Sequence, residues 1–183
     1  MNALLKPNRF EGTPLVDPAE FRRCMRTVPG AVAVITCGEP GHRTGLTATA
    51  VCSLTDAPPT LLACVNGSAS AHPVIRRTGR FAVNILSEAD LDVAGRFAGR
   101  DGIKGEDRFE GLACTQAPGG APILAEALAS FDCVLEAEHR YGTHSVFIGR
   151  VLSAATDPTR PPLLYLDGRF GTFAEDAARA ASR

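Results

Sequence analysis

Residues 45–55 read Gly-Leu-Thr-Ala-Thr-Ala-Val-Cys-Ser-Leu-Thr, and this stretch gives the strongest indication of both fold and ligand. As a strand with period two, it separates hydroxyl side chains from small apolar ones. One face carries Thr47, Thr49, Val51, Ser53 and Thr55, and the other carries Leu46, Ala48, Ala50, Cys52 and Leu54. Four hydroxyls without a carboxylate can donate hydrogen bonds to an acceptor-rich ligand, and the alanines leave space for a flat ring. An ordinary exposed strand face is the simpler interpretation of such a threonine ladder.

Outward from this stretch, short apolar runs alternate with turn residues. They predict further strands at residues 31–37, 60–65, 80–86, 129–138, 143–152 and 162–166. Helices are predicted at 17–27, near 72–77 and at 87–98, the first opened by Asp17-Pro18 and the third by a capping box from Ser87 to Asp90. Many short strands with few helices predict a mainly β, barrel-like domain rather than a doubly wound α/β sheet.

Length and charge limit the classes of protein that fit. The chain has 183 residues and a net charge of -1, which suits one globular domain and gives no sign of nucleic acid or an anionic membrane as main partner. We expect a loose N-terminal arm over residues 1–15, one domain over 16–173 and a tail over 174–183. The sequence shows neither a signal peptide nor an apolar run long enough to span a membrane, so a cytoplasmic protein is predicted.

The cysteines and histidines do not form a metal-binding pattern. None of the six cysteines lies in a CxxC pair, and we expect them to be reduced core residues: Cys24, Cys37, Cys52, Cys64, Cys114 and Cys133. His139 and His144 are poorly spaced for two ligands on one strand face, so no metal site is predicted.

Two polar features besides residues 45–55 have alternative interpretations. The turn Asn66-Gly67-Ser68-Ala69-Ser70 precedes a helix and could hold a phosphate, although such turns usually only cap the helix. Arg76, Arg77 and Arg80 form a basic cluster, which is either a solvated helix end or a site for a cofactor phosphate or partner enzyme. Asn84 lies inside an apolar strand, where a cross-strand hydrogen bond explains it better than catalysis.

The run TGLTATAVCSLTDAPPTLLACVN, residues 44–66, resembles the signature of the short-chain flavin reductase family. These proteins are the reductase components of two-component flavin-dependent monooxygenases. The similarity continues in order through residues 80–86, 96–99, 107–109, 120–122, 141–144 and 162–165. It therefore covers most of the chain, from about residue 21 to residue 173.

The resemblance implies an FMN-binding split β-barrel with a few flanking helices, usually assembled as a homodimer. It assigns the isoalloxazine and ribityl contacts to Thr47, Ala48, Thr49 and Ala50, with Ser53 facing the same ligand. It places the flavin phosphate near Asn66, Ser68 and Ser70, with Phe97 bordering the flavin. The Gly-Thr-His block puts His144, the one expected catalytic residue, near the nicotinamide, while Tyr165 and Arg169 belong to the segment that closes the pocket.

The resemblance also implies an NAD(P)H-dependent flavin oxidoreductase that reduces FMN, with FAD as a further exchangeable flavin, for a partner monooxygenase. NADH is favoured over NADPH because no single arginine is clearly placed for a 2′-phosphate. Two alternatives remain open: an FMN-containing reductase of a specialised acceptor such as a corrinoid, and an FMN-binding carrier or sensor without turnover. The blocks are similar to reductases of 4-hydroxyphenylacetate hydroxylation and of pyrimidine-ring degradation alike, so the pathway stays undetermined.

Overall fold

The computed structural model describes residues 12–173, so the predicted tail and most of the predicted N-terminal arm lie outside the described residues. The helices are α1 (Pro18–Met25), α2 (Ala71–Thr78) and α3 (Leu91–Phe97), with 3-10 turns at Glu88–Asp90 and Gly105–Phe109. The strands are β1 (Gly30–Ala31), β2 (Ala33–Cys37), β3 (Thr44–Ala48), β4 (Val51–Asp56), β5 (Pro59–Asn66), β6 (Arg80–Ile85), β7 (Cys114–Gln116), β8 (Pro122–Leu124), β9 (Ala129–Tyr141), β10 (His144–Thr156), β11 (Leu163–Leu166) and β12 (Arg169–Thr172).

The helix starts follow the local sequence. The Asp17 carboxylate accepts hydrogen bonds from the backbone N–H groups of Ala19 and Glu20, at 2.8 and 3.2 Å, and caps α1. Ser87 and Asp90 form the predicted capping box ahead of α3. Helix α2 ends at Gly79, whose φ of 65° is a left-handed conformation that glycine adopts at little cost.

Seven antiparallel strands form the main sheet, in the order β3-β2-β6-β9-β10-β5-β4. Its two edge strands, β3 and β4, are consecutive in the chain and separated only by Thr49 and Ala50. The carbonyl of Ala50 already accepts a hydrogen bond from the Cys64 amide of β5, at 2.9 Å. Because two residues connect the edges, the sheet must curl until they meet, and the result is a barrel split between β3 and β4.

The barrel interior is filled by side chains that alternate inward along the strands. The fully buried residues of this cluster include Ile35, Val65, Phe81, Val83 and Phe147. Helix α2 packs against β2, β3 and β6 and adds Ala71 and Ile75 to the same cluster. This packing fixes α2 and the turn before it relative to β3, which matters for the site below.

Buried polar side chains fasten the β7–β8 hairpin to the outside of the barrel. The Asn84 amide donates to the carbonyl of Val34 and to Thr36 Oγ1, at 3.1 and 3.0 Å, and its oxygen accepts from the Leu124 amide at 2.9 Å. The predicted structural role of Asn84 is therefore confirmed. Helix α3 and the small sheet β1-β11-β12 complete this outer layer around Val34, Phe97 and Leu163.

Several sequence predictions need correction. The single strand expected over residues 45–55 is two strands at opposite edges of the sheet, and the strand expected over 31–37 is interrupted at Val32. Strands β7, β8 and β12 were not predicted. All six cysteines are free, but Cys24 and Cys52 are exposed and not core residues. Among the core cysteines, burial raises the pKa of both Cys37 and Cys133 to about 12, so these thiols stay protonated and unreactive.

Candidate functional site

A cleft of about 440 Å³ opens beside β3. It is lined by Gly45, Leu46, Thr47, Ser68, Ala69, Ser70, Phe97, Ala98, Lys104 and Arg108. The structure therefore brings together four of the predicted site residues: Thr47, Ser68, Ser70 and Phe97. The cleft contains two cationic side chains and no carboxylate, which makes it suitable for an anionic group.

The two cations, Lys104 and Arg108, were not predicted as site residues. The Arg108 guanidinium donates from Nη1 to the carbonyl of Gly45 at 2.6 Å and from Nε to the carbonyl of Ile103 at 2.9 Å. These bonds hold the guanidinium plane against β3. Within residues 12–173 neither Lys104 nor Arg108 forms an ion pair with a carboxylate, so their charge remains available to a ligand.

The hydroxyl groups of this cleft mostly donate within the protein. Thr47 Oγ1 donates to the carbonyl of Ala94 at 2.7 Å, and Ser68 Oγ donates to Asn66 Oδ1 at 2.9 Å. Ser70 Oγ and Thr44 Oγ1 share one hydrogen bond at 2.9 Å, which leaves one of their two protons free. The expected row of hydroxyl donors is thus largely occupied, and the positive charge comes from the loop after α3.

Phe97 closes one side of this cleft and explains why position 45 is glycine. A Cβ at Gly45 would lie 2.6 Å from the carbonyl oxygen of Ile35 and 2.9 Å from the Phe97 ring. Phe97 meets Phe109 edge to face, with 5.1 Å between the ring centroids. The glycine therefore allows the Phe97 ring to pack directly on the backbone of β3.

A second cleft, of about 840 Å³, lies at the crossover between β3 and β4. Thr49 and Ala50 form part of its lining, together with Tyr165 of β11, Pro29 and Gly30. Helix α1 and its C-cap residue supply the opposite wall, with Met25 and three arginines, Arg22, Arg23 and Arg26. The segment 47–50 thus reaches both clefts, with Thr47 in the first and Thr49 and Ala50 in the second.

Five predicted residues are absent from the lining of both clefts: Ala48, Ser53, Asn66, His144 and Arg169. The Ala48 side chain is partly buried against the barrel core. Ser53 lies on β4 in a separate apolar depression with Phe131 and Val151. The prediction that it faces the ligand assumed that one strand continues across the β3–β4 break. Arg169 is 82% exposed at the start of β12, with Asp167 at 3.8 Å. The structure does not bring the Ser53 and Arg169 side chains to either cleft.

His144 and Asn66 face each other across the β5–β10 ladder. His144 is exposed, and its Nδ1 forms a 2.9 Å hydrogen bond with Thr143 Oγ1. Asn66 Oδ1 accepts from both the amide and the hydroxyl of Ser68, which orders the turn before α2. His144 therefore lies at the end of the sheet that carries the Ser68 turn, outside the lining of both clefts.

Residues 12–173 contain no group of three His, Cys, Asp or Glu side chains placed to hold a metal ion. Over the same range, every helix is too short or too polar to cross a bilayer.

The split barrel and its paired clefts define a class of protein: the chain belongs to the flavin reductase like domain family, which matches residues 25–174. Among its relatives, the FMN reductase (NADH) RutF of Methylorubrum extorquens is 41% identical over 158 residues, or 86% of this chain and 76% of that protein. The solved NADH:FAD oxidoreductase SgcE6 of Streptomyces globisporus is 32% identical, covers 89% of this chain and 99% of its own, and superimposes with a TM-score of 0.80.

A third similar structure is a homologue of nitrilotriacetate monooxygenase component B from Mycobacterium thermoresistibile. It is 30% identical, with a TM-score of 0.78, over 85% of this chain and 86% of its own. The family and the mainly β split-barrel fold expected from the sequence are both confirmed.

Proposed function

We propose that this protein is an NADH-dependent FMN reductase that supplies reduced flavin to a partner flavin-dependent monooxygenase. The observation that carries the proposal is the position of two cations, Lys104 and Arg108, at one end of the small-residue segment 47–50, which leads into the second cleft. Neither cation forms an ion pair with a carboxylate among residues 12–173. The relative RutF is named FMN reductase (NADH), and the mycobacterial neighbour is a homologue of a monooxygenase component.

The residues present fit FMN. The phosphate would lie in the first cleft against Lys104 and Arg108, near the turn of Ser68 and Ser70 at the start of α2. An anion is also stabilised at a helix N-terminus, because the backbone N–H groups there lack helical partners. The ribityl chain and ring would follow residues 47–50 toward the second cleft, with Tyr165 closing it. The flavin phosphate thus explains cations that have no carboxylate partner within residues 12–173.

When bound, FMN supplies the redox chemistry by accepting a hydride from the nicotinamide. The chain has to hold the two rings in contact, which requires shape and charge and no strong acid or base. The lining of both clefts is consistent with this, since it contains no carboxylate among the described residues. Arg22, Arg23 and Arg26 provide positive charge near the second cleft, where the dinucleotide would approach, and Arg23 and Arg26 pair with Glu20 and Asp167.

Anaerobic stopped-flow reduction tests the function. We expect NADH to bleach the absorbance of protein-bound FMN faster than NADPH does. His144→Ala should slow this reduction more than it weakens FMN binding, because we propose that His144 acts on the nicotinamide side. Equal losses in both quantities would argue against that role. Bound FMN that neither nucleotide bleaches would instead indicate a carrier or sensor.

We further propose that the protein is a homodimer. The depression around Ser53 is lined mainly by apolar side chains, including Leu61, Ile85, Phe131 and Val151. Leu54 and Leu152 on the adjoining strands are 50% and 47% exposed, so apolar surface continues beyond it. Surface of this kind is typical of protein interfaces. Sedimentation velocity should give a species of twice the chain mass of 19.2 kDa. A single species at the mass of one chain would contradict the dimer.

A cytoplasmic location is proposed from the cysteines. All six are free, and disulfides are rare in reducing compartments. Fractionation of cells that express the native protein would test this, and recovery in an extracytoplasmic fraction would refute it.

A further inference from the structure

The loop between α3 and β7 is fastened to the β2–β3 hairpin by a contact between Arg43 and Glu106. Glu106 Oε2 accepts from the backbone amide of Arg43 at 2.7 Å, and Oε1 accepts from Arg43 Nε at 2.7 Å and from Nη2. Both side chains are largely shielded from solvent, at 22% and 32% exposure. The carboxylate therefore holds the backbone and the side chain of the same residue, which fixes the loop in direction as well as in position.

This contact continues into the wall of the first cleft. The Arg43 guanidinium lies over the Phe109 ring, 4.6 Å from its centroid, and Phe109 packs edge to face on Phe97. The hydrogen bonds from Arg43 lower the pKa of Glu106, so the carboxylate stays ionised under ordinary conditions. An ionised carboxylate that accepts three hydrogen bonds makes the arrangement a firm attachment for a surface loop.

Glu106 lies midway between the two cations of the cleft. Lys104 is two residues before it and Arg108 two residues after it, within and beside the 3-10 turn Gly105–Phe109. Lys104 and Arg108 reach the cleft from this turn, and the Arg43–Glu106 contact helps to hold the turn against the hairpin. A contact at the centre of the turn controls both of them together.

We propose that Glu106 is a positioning residue that sets the preference of the site for a phosphorylated flavin over riboflavin. It makes no contact with the ligand and acts by holding Lys104 and Arg108 at the phosphate end of the cleft. The proposal rests on the proposed FMN-binding function.

The direction of the effect separates this role from simple electrostatics. Removing Glu106 deletes a negative charge a few residues from an anion site, and by charge alone this should tighten FMN binding. A positioning role gives the opposite result, because the freed turn no longer holds the cations in place. We expect Glu106→Ala to lower the ratio of FMN to riboflavin affinity by about tenfold or more, the order expected for a lost charged contact.

The test measures the dissociation constants of FMN and riboflavin by flavin fluorescence for three proteins. These are the wild type, Glu106→Ala and the control Glu126→Ala. The control deletes one carboxylate that pairs with Arg160, away from the lining of both clefts. Riboflavin binding serves as the check of folding, because it should be the same in all three proteins. Should Glu106→Ala fail to fold, Glu106→Gln, which keeps an acceptor for the Arg43 amide, should give a smaller loss in the same direction.

The positioning role is supported if the ratio of FMN to riboflavin affinity falls in Glu106→Ala but not in Glu126→Ala, with riboflavin binding unchanged. A ratio that is unchanged or raised overturns it, as does a wild type that binds both flavins equally well, although flavin reduction would still stand in that case. A wild type that binds neither flavin overturns the proposed function itself, and the positioning role with it.

Discussion

Arg108→Met is expected to raise the dissociation constant for FMN by about 10- to 100-fold, the range for a lost hydrogen bond to a charged group. Riboflavin binding should change little, because riboflavin lacks the phosphate. The reason is geometric: two backbone carbonyls, of Gly45 and Ile103, hold the guanidinium at the cleft, while no carboxylate among residues 12–173 neutralises it. Arg108→Lys should recover part of the affinity, since lysine keeps the charge but loses the planar fork of donors.

Fluorescence titration at several salt concentrations measures this effect. FMN binding by the wild type should weaken with salt more steeply than binding by Arg108→Met, because salt screens a contact that the variant lacks. Arg100→Met is the matched control. Arg100 lies in the same loop but stacks over Phe170, 5.1 Å from its centroid, and lines neither cleft. Equal losses for FMN and riboflavin in Arg108→Met would mean that Arg108 supports the fold and does not bind the phosphate.

The features that sequence predicted well depend on neighbouring residues. The Asp17 cap and the Ser87–Asp90 capping box are each determined within a few positions along the chain. Asn84 was also interpreted correctly, because a buried amide inside an apolar strand needs hydrogen-bond partners wherever the strand lies.

The break between β3 and β4 at Thr49 and Ala50 could not be predicted from neighbouring residues. The alternation of residues 45–55 continues unchanged across it, yet β3 pairs with β2 whereas β4 pairs with β5. Closure of the barrel decides this, and closure depends on strands far away in sequence. Placing Ser53 on the ligand face followed from continuing the alternation across the break.

The cations of the site were missed for a related reason. Asp107-Arg108-Phe109 was part of the family resemblance, but nothing local shows where a glycine-rich, charged loop will lie. Its position depends on Arg43 and Glu106, which are 63 residues apart. Conversely, the hydroxyl of Thr47, which was expected to bind the ligand, donates to the carbonyl of Ala94 in α3, while Thr47 still lines the first cleft. The sequence shows which residue types lie near the clefts, but the positions of charges and donors depend on the packing.

Gly45→Ala is expected to destabilise the protein by about 1–3 kcal/mol, the usual cost of overpacking, and to weaken FMN binding as well. The new methyl group would meet the carbonyl oxygen of Ile35 at 2.6 Å, which is backbone inside the barrel and cannot move aside cheaply. It would also meet the Phe97 ring at 2.9 Å, so the wall of the first cleft must shift. Since the carbonyl of Gly45 accepts from Arg108, any displacement of β3 reaches the phosphate end of the site.

Urea unfolding and FMN titration of the same variant separate these two effects. Gly171→Ala is the matched control, because Gly171 also lies in a strand but a Cβ there meets no atom within 4 Å. That variant should be neutral or slightly stabilising, as alanine restricts the unfolded chain more than glycine does. If Gly45→Ala and Gly171→Ala had the same stability, the close approach at Gly45 would not constrain the fold. A destabilised Gly45→Ala that binds FMN normally would mean that the Phe97 wall and the phosphate end of the cleft are independent of β3.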